Sequence, residues 1–181
     1  MDIVYFDIET QRTFNDVGGY DNKAAMGMSV GVTFSTADNA YEIFSEKRAD
    51  ALIARLQRAD LVVGYNILNF DYGVLMAYTI LDLAHALPTL DLMVEIERVL
   101  GHRLKLDDVA KGSLGVGKTG DGLDAIRWYR EGKFLEIAEY CCYDVKVTRM
   151  VHEYGVKNGC VHYINRFGQK QEVARPWGPP K

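Results

Sequence analysis

Apolar and polar positions along the chain fall into short blocks whose period changes from about two to nearly four. Ile3-Val4-Tyr5-Phe6 is a run of β-branched and aromatic residues that predicts a buried strand ending at Asp7. The glycine-containing stretch from Asn15 to Asn22 predicts a loop. Met28 to Ser35 and Ala40 to Phe44 predict two more strands, and Asp38-Asn39 between them supplies turn chemistry for a hairpin. Ala51, Leu52 and Leu56 stand at helical spacing among charged residues, which predicts an amphipathic helix over 47–58. Leu61-Val62-Val63-Gly64-Tyr65 predicts the next buried strand, followed by a helix over 69–80 and a short extended piece at Thr89-Leu90. Beyond it the pattern predicts a helix from about Asp91 to Leu100, and two shorter ones over 106–111 and 121–131 around a Gly-rich loop. Lys133 to about Lys157 is the longest helical pattern, and Val161 to Asn165 reads as a last strand. A hairpin followed by this alternation predicts an α/β fold, a mixed sheet flanked by helices.

At 181 residues there is room for one sizeable core. Residues 1–165 are expected to form that domain, with 166–181 a C-terminal strand or tail, partly disordered. The segment Arg175-Pro-Trp-Gly-Pro-Pro-Lys181 is expected to lie on the surface without regular structure. No apolar stretch approaches the ~20 residues of a membrane span, and Met1-Asp2 leads directly into a strand rather than a targeting segment. Three cysteines, two of them adjacent, offer neither a disulfide framework nor zinc-ligand spacing, so a reducing cytoplasm is the expected compartment.

The net charge of −4 excludes a globally basic nucleic-acid binder, but its distribution is uneven. Residues 1–97 carry 6 Lys/Arg against 15 Asp/Glu, whereas residues 98–133 carry 8 against 5 and 157–181 carry 5 against 1. An acidic site built by the first half could therefore stand beside later segments able to hold a phosphate backbone.

Three acidic motifs supply candidate chemistry. In Asp7-Ile8-Glu9-Thr10 the two acids are at i and i+2 of a strand and face the same side, where a cation would relieve their repulsion. In Gly64-Tyr65-Asn66-Ile67-Leu68-Asn69-Phe70-Asp71 a buried strand ends and a helix brings in Asp71. In Tyr140-Cys141-Cys142-Tyr143-Asp144 the i, i+4 spacing puts Tyr140 and Asp144 on one helix face. Taken singly, each has an ordinary explanation in turn chemistry, helix-start polarity or a core tyrosine.

Together they resemble the DEDD family of 3′→5′ exonucleases, over roughly residues 1–165. The matching elements are Asp7 and Glu9, then Asn66 with Phe70-Asp71, then Asp144. Tyr140, four residues before that last Asp, matches the tyrosine subclass; the histidine of the other subclass would fall at Glu139. The run from Ala59 to Leu75 is similar to proofreading domains of family B DNA polymerases, and Leu104 to Lys118 to small bacterial and archaeal exonuclease or helicase-linked modules. The resemblance implies a ribonuclease-H-like fold and stepwise hydrolysis of nucleic acid from a free 3′ end by a two-metal-ion mechanism. It implies that Asp7, Glu9 and Asp144 hold one Mg²⁺ or Mn²⁺ ion, with Asp7 bridging to a second whose surroundings Asp71 supports. Tyr140 would orient the attacking water, since a phenol with an ordinary pKa near ~10 is a poor base. Thr10, Asn66 and Phe70 are expected to contact the terminal nucleotide, and Lys118 a phosphate. A helicase or polymerase is the expected kind of partner, with no membrane. Whether the strand is DNA or RNA stays open, with single-stranded DNA weakly favoured by the polymerase-like segment.

Other patterns carry less. Gly112-Ser-Leu-Gly-Val-Gly117-Lys118-Thr119 satisfies a phosphate-loop expression, but a helix rather than a strand is predicted before it and Gly120-Asp121-Gly122 breaks the chain just after it. His85, His102, His152 and His162 have no ligand spacing, so no zinc site is expected, and His152 is expected to be structural. Cys141 and Cys142 are expected to be buried small apolar groups, and Trp128 and Tyr129 to belong more to the core than to a base-stacking surface. The alternative function is a catalytically silent nucleic-acid- or partner-binding module on the same fold, against which the intact acids argue.

Overall fold

A computed structural model describes residues 1–117, 122–174, 176 and 177. Among them, five strands form one sheet in the order β3-β2-β1-β4-β5, with β1 Ile3–Thr10, β2 Met28–Ser35, β3 Ala40–Ser45, β4 Leu61–Gly64 and β5 Thr89–Asp91. β1, β2 and β3 pair antiparallel, while β4 and β5 run parallel to β1. The predicted mixed sheet flanked by helices is therefore present. β1 runs past Asp7 because its polar end still pairs with β2, Asp7 opposite Val32 and Glu9 opposite Val30, so both acids leave satisfied backbone behind them. A register shift between Glu9 and Thr10 then bends the strand end.

Alternation along β1 divides the core. Val4, Phe6 and Ile8 face α1 (Ala49–Gln57) and α2 (Asp71–Leu75), where they join Leu52, Leu56, Val62 and Leu75. Tyr5, on the other face, joins Val30, Val32 and Val63 against α4 (Leu92–Leu100), α5 (Leu106–Leu114), α6 (Gly122–Arg130) and α7 (Phe134–Asn158). Each fully buried aliphatic or aromatic side chain contributes roughly 1.5–3 kcal/mol, and both faces hold many. With its two faces buried, β1 carries its acids at its C-terminal end.

The structure departs from the sequence pattern in several places. The Gly-rich segment is two 3-10 turns, Asn15–Val17 and Tyr20–Met26. The helix predicted over 69–80 ends at Leu75, because the Tyr78 hydroxyl accepts the Met28 N–H (2.9 Å) and donates to Glu46 (2.9 Å), drawing the chain away. A short helix, α3 (Leu83–Ala86), follows. At the C-terminus, β6 (Cys160–Ile164) pairs with β7 (Lys170–Ala174) in a separate hairpin, not with the main sheet.

That hairpin packs on α5, and its approach explains one glycine of the phosphate-loop expression. A Cβ on Gly112 would lie 2.4 Å from the Tyr163 Cα and 2.5 Å from the His162 carbonyl. Gly112 is thus a helical residue shaped for close packing, not the start of a phosphate cradle. The tail expectation is corrected at Trp177, which is buried rather than on the surface. Its ring occupies a notch at Gly155 of α7, where a Cβ would come within 2.2 Å, and its Nε1–H donates to the His152 carbonyl (3.3 Å). No described helix is long and apolar enough to cross a membrane.

Candidate active site

Three separate chain segments deliver acids to one place. Asp7 and Glu9 project from the end of β1 on the face that α7 covers. α7 lies across β1 and β2 with Tyr140, Cys141, Asp144 and Val145 buried, so its residues 140–144 meet the acidic strand end. Cys141 marks the approach: its thiol donates to the Asp7 carbonyl and to Asp7 Oδ2, both at 3.4 Å.

Asp71 arrives from the opposite face through a tight turn. Asn66 adopts a left-handed φ of 67°, which asparagine tolerates better than most residues. Buried Asp91 at the end of β5 holds that turn, accepting the Asn66 N–H at 2.8 Å and the Leu68 N–H at 3.0 Å while also capping α4. The Phe70 N–H then returns to the Asn66 carbonyl (3.0 Å) and α2 begins at Asp71. Asp71 is 2% exposed and its Oδ1 accepts the Ile8 N–H at 3.1 Å, which fixes it against β1 between the two strand acids.

The electrostatics record this convergence. Asp7 keeps some solvent contact yet is surrounded by protein atoms, and burial pushes its carboxyl well above the ordinary carboxylate range. Asp71, Glu9 and Asp144 add repulsion in that order, and only the Cys141 thiol opposes them. Burial pushes Asp71 up to about 7 despite its backbone hydrogen bonds. Tyr140 is 5% exposed, and burial together with Asp144, Glu9 and Asp7 raises its phenol far above its ordinary value. A side-chain hydrogen bond joins it to Asp144, and Trp128 packs edge-on against its ring at 6.1 Å. Around Asp7 and Asp71 the opposing contacts are hydrogen bonds, from the Cys141 thiol to Asp7 and from the Ile8 N–H to Asp71.

A divalent ion fits this donor set. The ligand atoms of Asp7, Glu9 and Cys141 lie within 4.8 Å of one another. Clustered like charges that burial already penalises are stabilised by a hard cation with oxygen ligands.

The remaining expectations divide. Asn66 Oδ1 is buried with no hydrogen-bond partner among the described residues, as a group awaiting a ligand would be. Phe70 packs edge-on against Phe14 (5.8 Å), itself against the half-exposed Tyr20 (5.1 Å), giving an aromatic rim. The Thr10 hydroxyl is turned inward to the Arg12 carbonyl (3.1 Å). Lys118 lies outside the described residues. Beyond the end of β1 a groove of about 400 Å³ is lined by Gln11, Arg12, Asp16, Tyr129 and Arg130. Trp128 and Tyr129 both pack against the core, as expected, and Tyr129 with Arg130 also lines this groove.

Sequence reasoning missed two contributors. Cys141 lies three residues before Asp144, at a spacing that makes the two neighbours on the helix, which was signal enough to place it near the site. Asp91 follows an extended pair and precedes a helix, as an N-cap does, but its grip on the Asn66–Leu68 turn is a long-range contact with no local mark.

The sheet order and the acids at the end of its central strand define a ribonuclease-H-like fold. A family model described as RNase_H_2, of the RNase_H superfamily, matches residues 4–156, and the chain belongs to that superfamily. This membership supports a nuclease-type function. Among solved structures, the family B DNA polymerase from the hyperthermophilic archaeon Pyrobaculum calidifontis is similar in fold, with a TM-score of 0.66 and 17% identity over 86% of this chain. The match covers 24% of the polymerase, so this chain spans about a quarter of its length. No curated protein matches the chain in sequence.

Proposed function

We propose that the chain is a 3′→5′ exonuclease that hydrolyses the terminal phosphodiester bond of a nucleic-acid strand and releases nucleoside monophosphates. The observation that carries this is the meeting of Asp7, Glu9, Asp71 and Asp144, from three distant segments, beside a tyrosine bonded to one of them. Asp7, Glu9 and Asp144 would hold one Mg²⁺ or Mn²⁺ ion, and Asp7 with Asp71 a second. When bound, two such ions neutralise charge on the attacking and leaving oxygens of the displacement.

The chain's own residues do the rest. Tyr140 stays protonated across the neutral range, because its surroundings disfavour phenolate, so it acts by hydrogen bonding and orients the water rather than removing its proton. The Asn66 amide oxygen accepts a hydrogen bond from the terminal nucleotide, and Phe70 with Phe14 offers a face for its base. Arg12 and Arg130 in the adjoining groove meet the phosphates that follow, and Lys118 a further one. Single-stranded DNA is the favoured substrate. The likeness to a polymerase supports action beside a polymerase or helicase partner.

A time course on 5′-labelled single-stranded DNA and RNA with Mn²⁺ or Mg²⁺, beside EDTA and Asp7→Asn controls, tests the reading. The expected result is a metal-dependent ladder shortening from the 3′ end, absent in the variant, with DNA degraded faster. Intact strands that nevertheless bind, or products unaffected by Asp7→Asn, would replace the exonuclease by a binding module.

A further inference from the structure

We propose that the C-terminal hairpin carries a zinc site, formed by Cys160, His162 and Glu172 and separate from the carboxylate cluster. Cys160 and His162 stand at i and i+2 on β6 and therefore share a face. Glu172 is the direct cross-strand partner of His162 on β7 and points to the same side. The three ligand atoms lie within 4.8 Å of one another, and His162 Nε2 is already 3.7 Å from the Glu172 carboxylate. Tetrahedral Zn²⁺, with bonds of about 2.0–2.3 Å, needs donors roughly 3.3–3.8 Å apart, so a small rotation of half-buried Cys160 completes the set.

The histidine is prepared for this role. The Tyr154 hydroxyl lies 3.4 Å from Nδ1, which leaves Nε2 for the ion and supplies the outer hydrogen bond that ligand histidines use. Its backbone is clamped, since His162 N–H donates to Ser113 Oγ (2.8 Å) and that hydroxyl donates to the His162 carbonyl (2.9 Å). Glu172, largely exposed, admits the ion from solvent, and water takes the fourth position. Thiolate, imidazole and carboxylate together select zinc over the hard ions suited to four carboxylates. Bound there, the ion ties β7 to β6 and secures the hairpin on α5 and α7.

Cobalt(II) titration of the full chain, read by the near-ultraviolet thiolate-to-cobalt charge-transfer band, tests the site without reference to nuclease activity. The expected result is a band saturating at one equivalent, displaced by Zn²⁺, lost in Cys160→Ser and His162→Ala, and kept in Asp7→Asn and Cys141→Ser. Should His162→Ala not fold, Glu172→Gln is the second probe, expected to weaken cobalt binding by roughly tenfold or more. Absence of the band in the wild type, its survival in Cys160→Ser, its loss in Cys141→Ser, or unchanged affinity in Glu172→Gln would overturn the proposal.

Discussion

β1 and α7 touch at two places, and the chemistry at the two is opposite. At the first, Tyr5 and His152 share a hydrogen bond of 2.8 Å and Trp177 packs over the imidazole with ring centroids 5.8 Å apart. There Tyr5 and His152 satisfy each other, and the Trp177 Nε1–H donates to the His152 carbonyl. At the second, two residues further along β1, Asp71, Glu9 and Asp144 all push the Asp7 carboxyl up and the Cys141 thiol pulls it down. The same strand and the same helix thus hold one polar contact that stabilises the fold and one whose acids repel each other, a repulsion that the proposed cation would relieve. Buried polarity by itself does not mark function; acids gathered from distant segments, with pKa values raised by burial and by one another, are the stronger pointer.

Removing the anchor of the first contact should have the largest effect on stability. Trp177→Ala empties the notch at Gly155 and is expected to lower unfolding free energy by about 3–5 kcal/mol in urea titrations, while the folded variant keeps its metal-dependent turnover. Loss of turnover with stability unchanged would mean that the two contacts are not independent.

Next comes the pH dependence of the same contact. Burial lowers His152 to about 4 from an ordinary 6.5, so it stays neutral in the folded chain. Below that ordinary value the unfolded chain takes up a proton the folded chain refuses, so this contribution is complete above about pH 6.5 and drains away as pH falls toward about 4. Asp71, pushed up to about 7 by burial, runs the other way: in metal-free protein its stability contribution is present at acid pH and lost as pH rises through about 7. Comparing the wild type with His152→Gln cancels that opposing trend. The stability difference between the two is expected to change by roughly 3 kcal/mol between about pH 7 and pH 4, in the sense that acid penalises the wild type. A constant difference would show that the histidine does not remain neutral.

The smallest effect sharpens the second contact. Tyr140→Phe keeps the ring packed against Trp128 and removes only the hydroxyl. Turnover is expected to fall about 10²-fold with metal affinity unchanged, since orientation is lost and charge is not. Wild-type turnover in this variant would take Tyr140 out of the mechanism.

The two contacts were also unequally legible in the sequence. Asp7, Glu9, Tyr140 and Asp144 were readable because strand and helix periods place them on single faces, and Asp71 because a strand end and a helix start bracket it. The strand blocks from Ile3 to Leu90 were readable for the same reason. Burial of Trp177 was not, because it depends on a notch at Gly155 made 22 residues earlier, in a segment whose prolines argue against regular structure. Likewise the end of α2 at Leu75 is set by Tyr78 reaching Met28 and Glu46, and no local pattern encodes that reach.

The most direct test of the central claim is thermal unfolding of wild type and Asp7→Asn at about pH 8, in EDTA and in Mn²⁺. Asp7→Asn removes one of four mutually repelling acids, so in EDTA its Tm should exceed that of the wild type. Mn²⁺ should raise the wild-type Tm and leave the variant nearly unmoved. A variant less stable than the wild type in EDTA, or an equal rise with Mn²⁺ in both proteins, would contradict the assignment of these acids as a cation site.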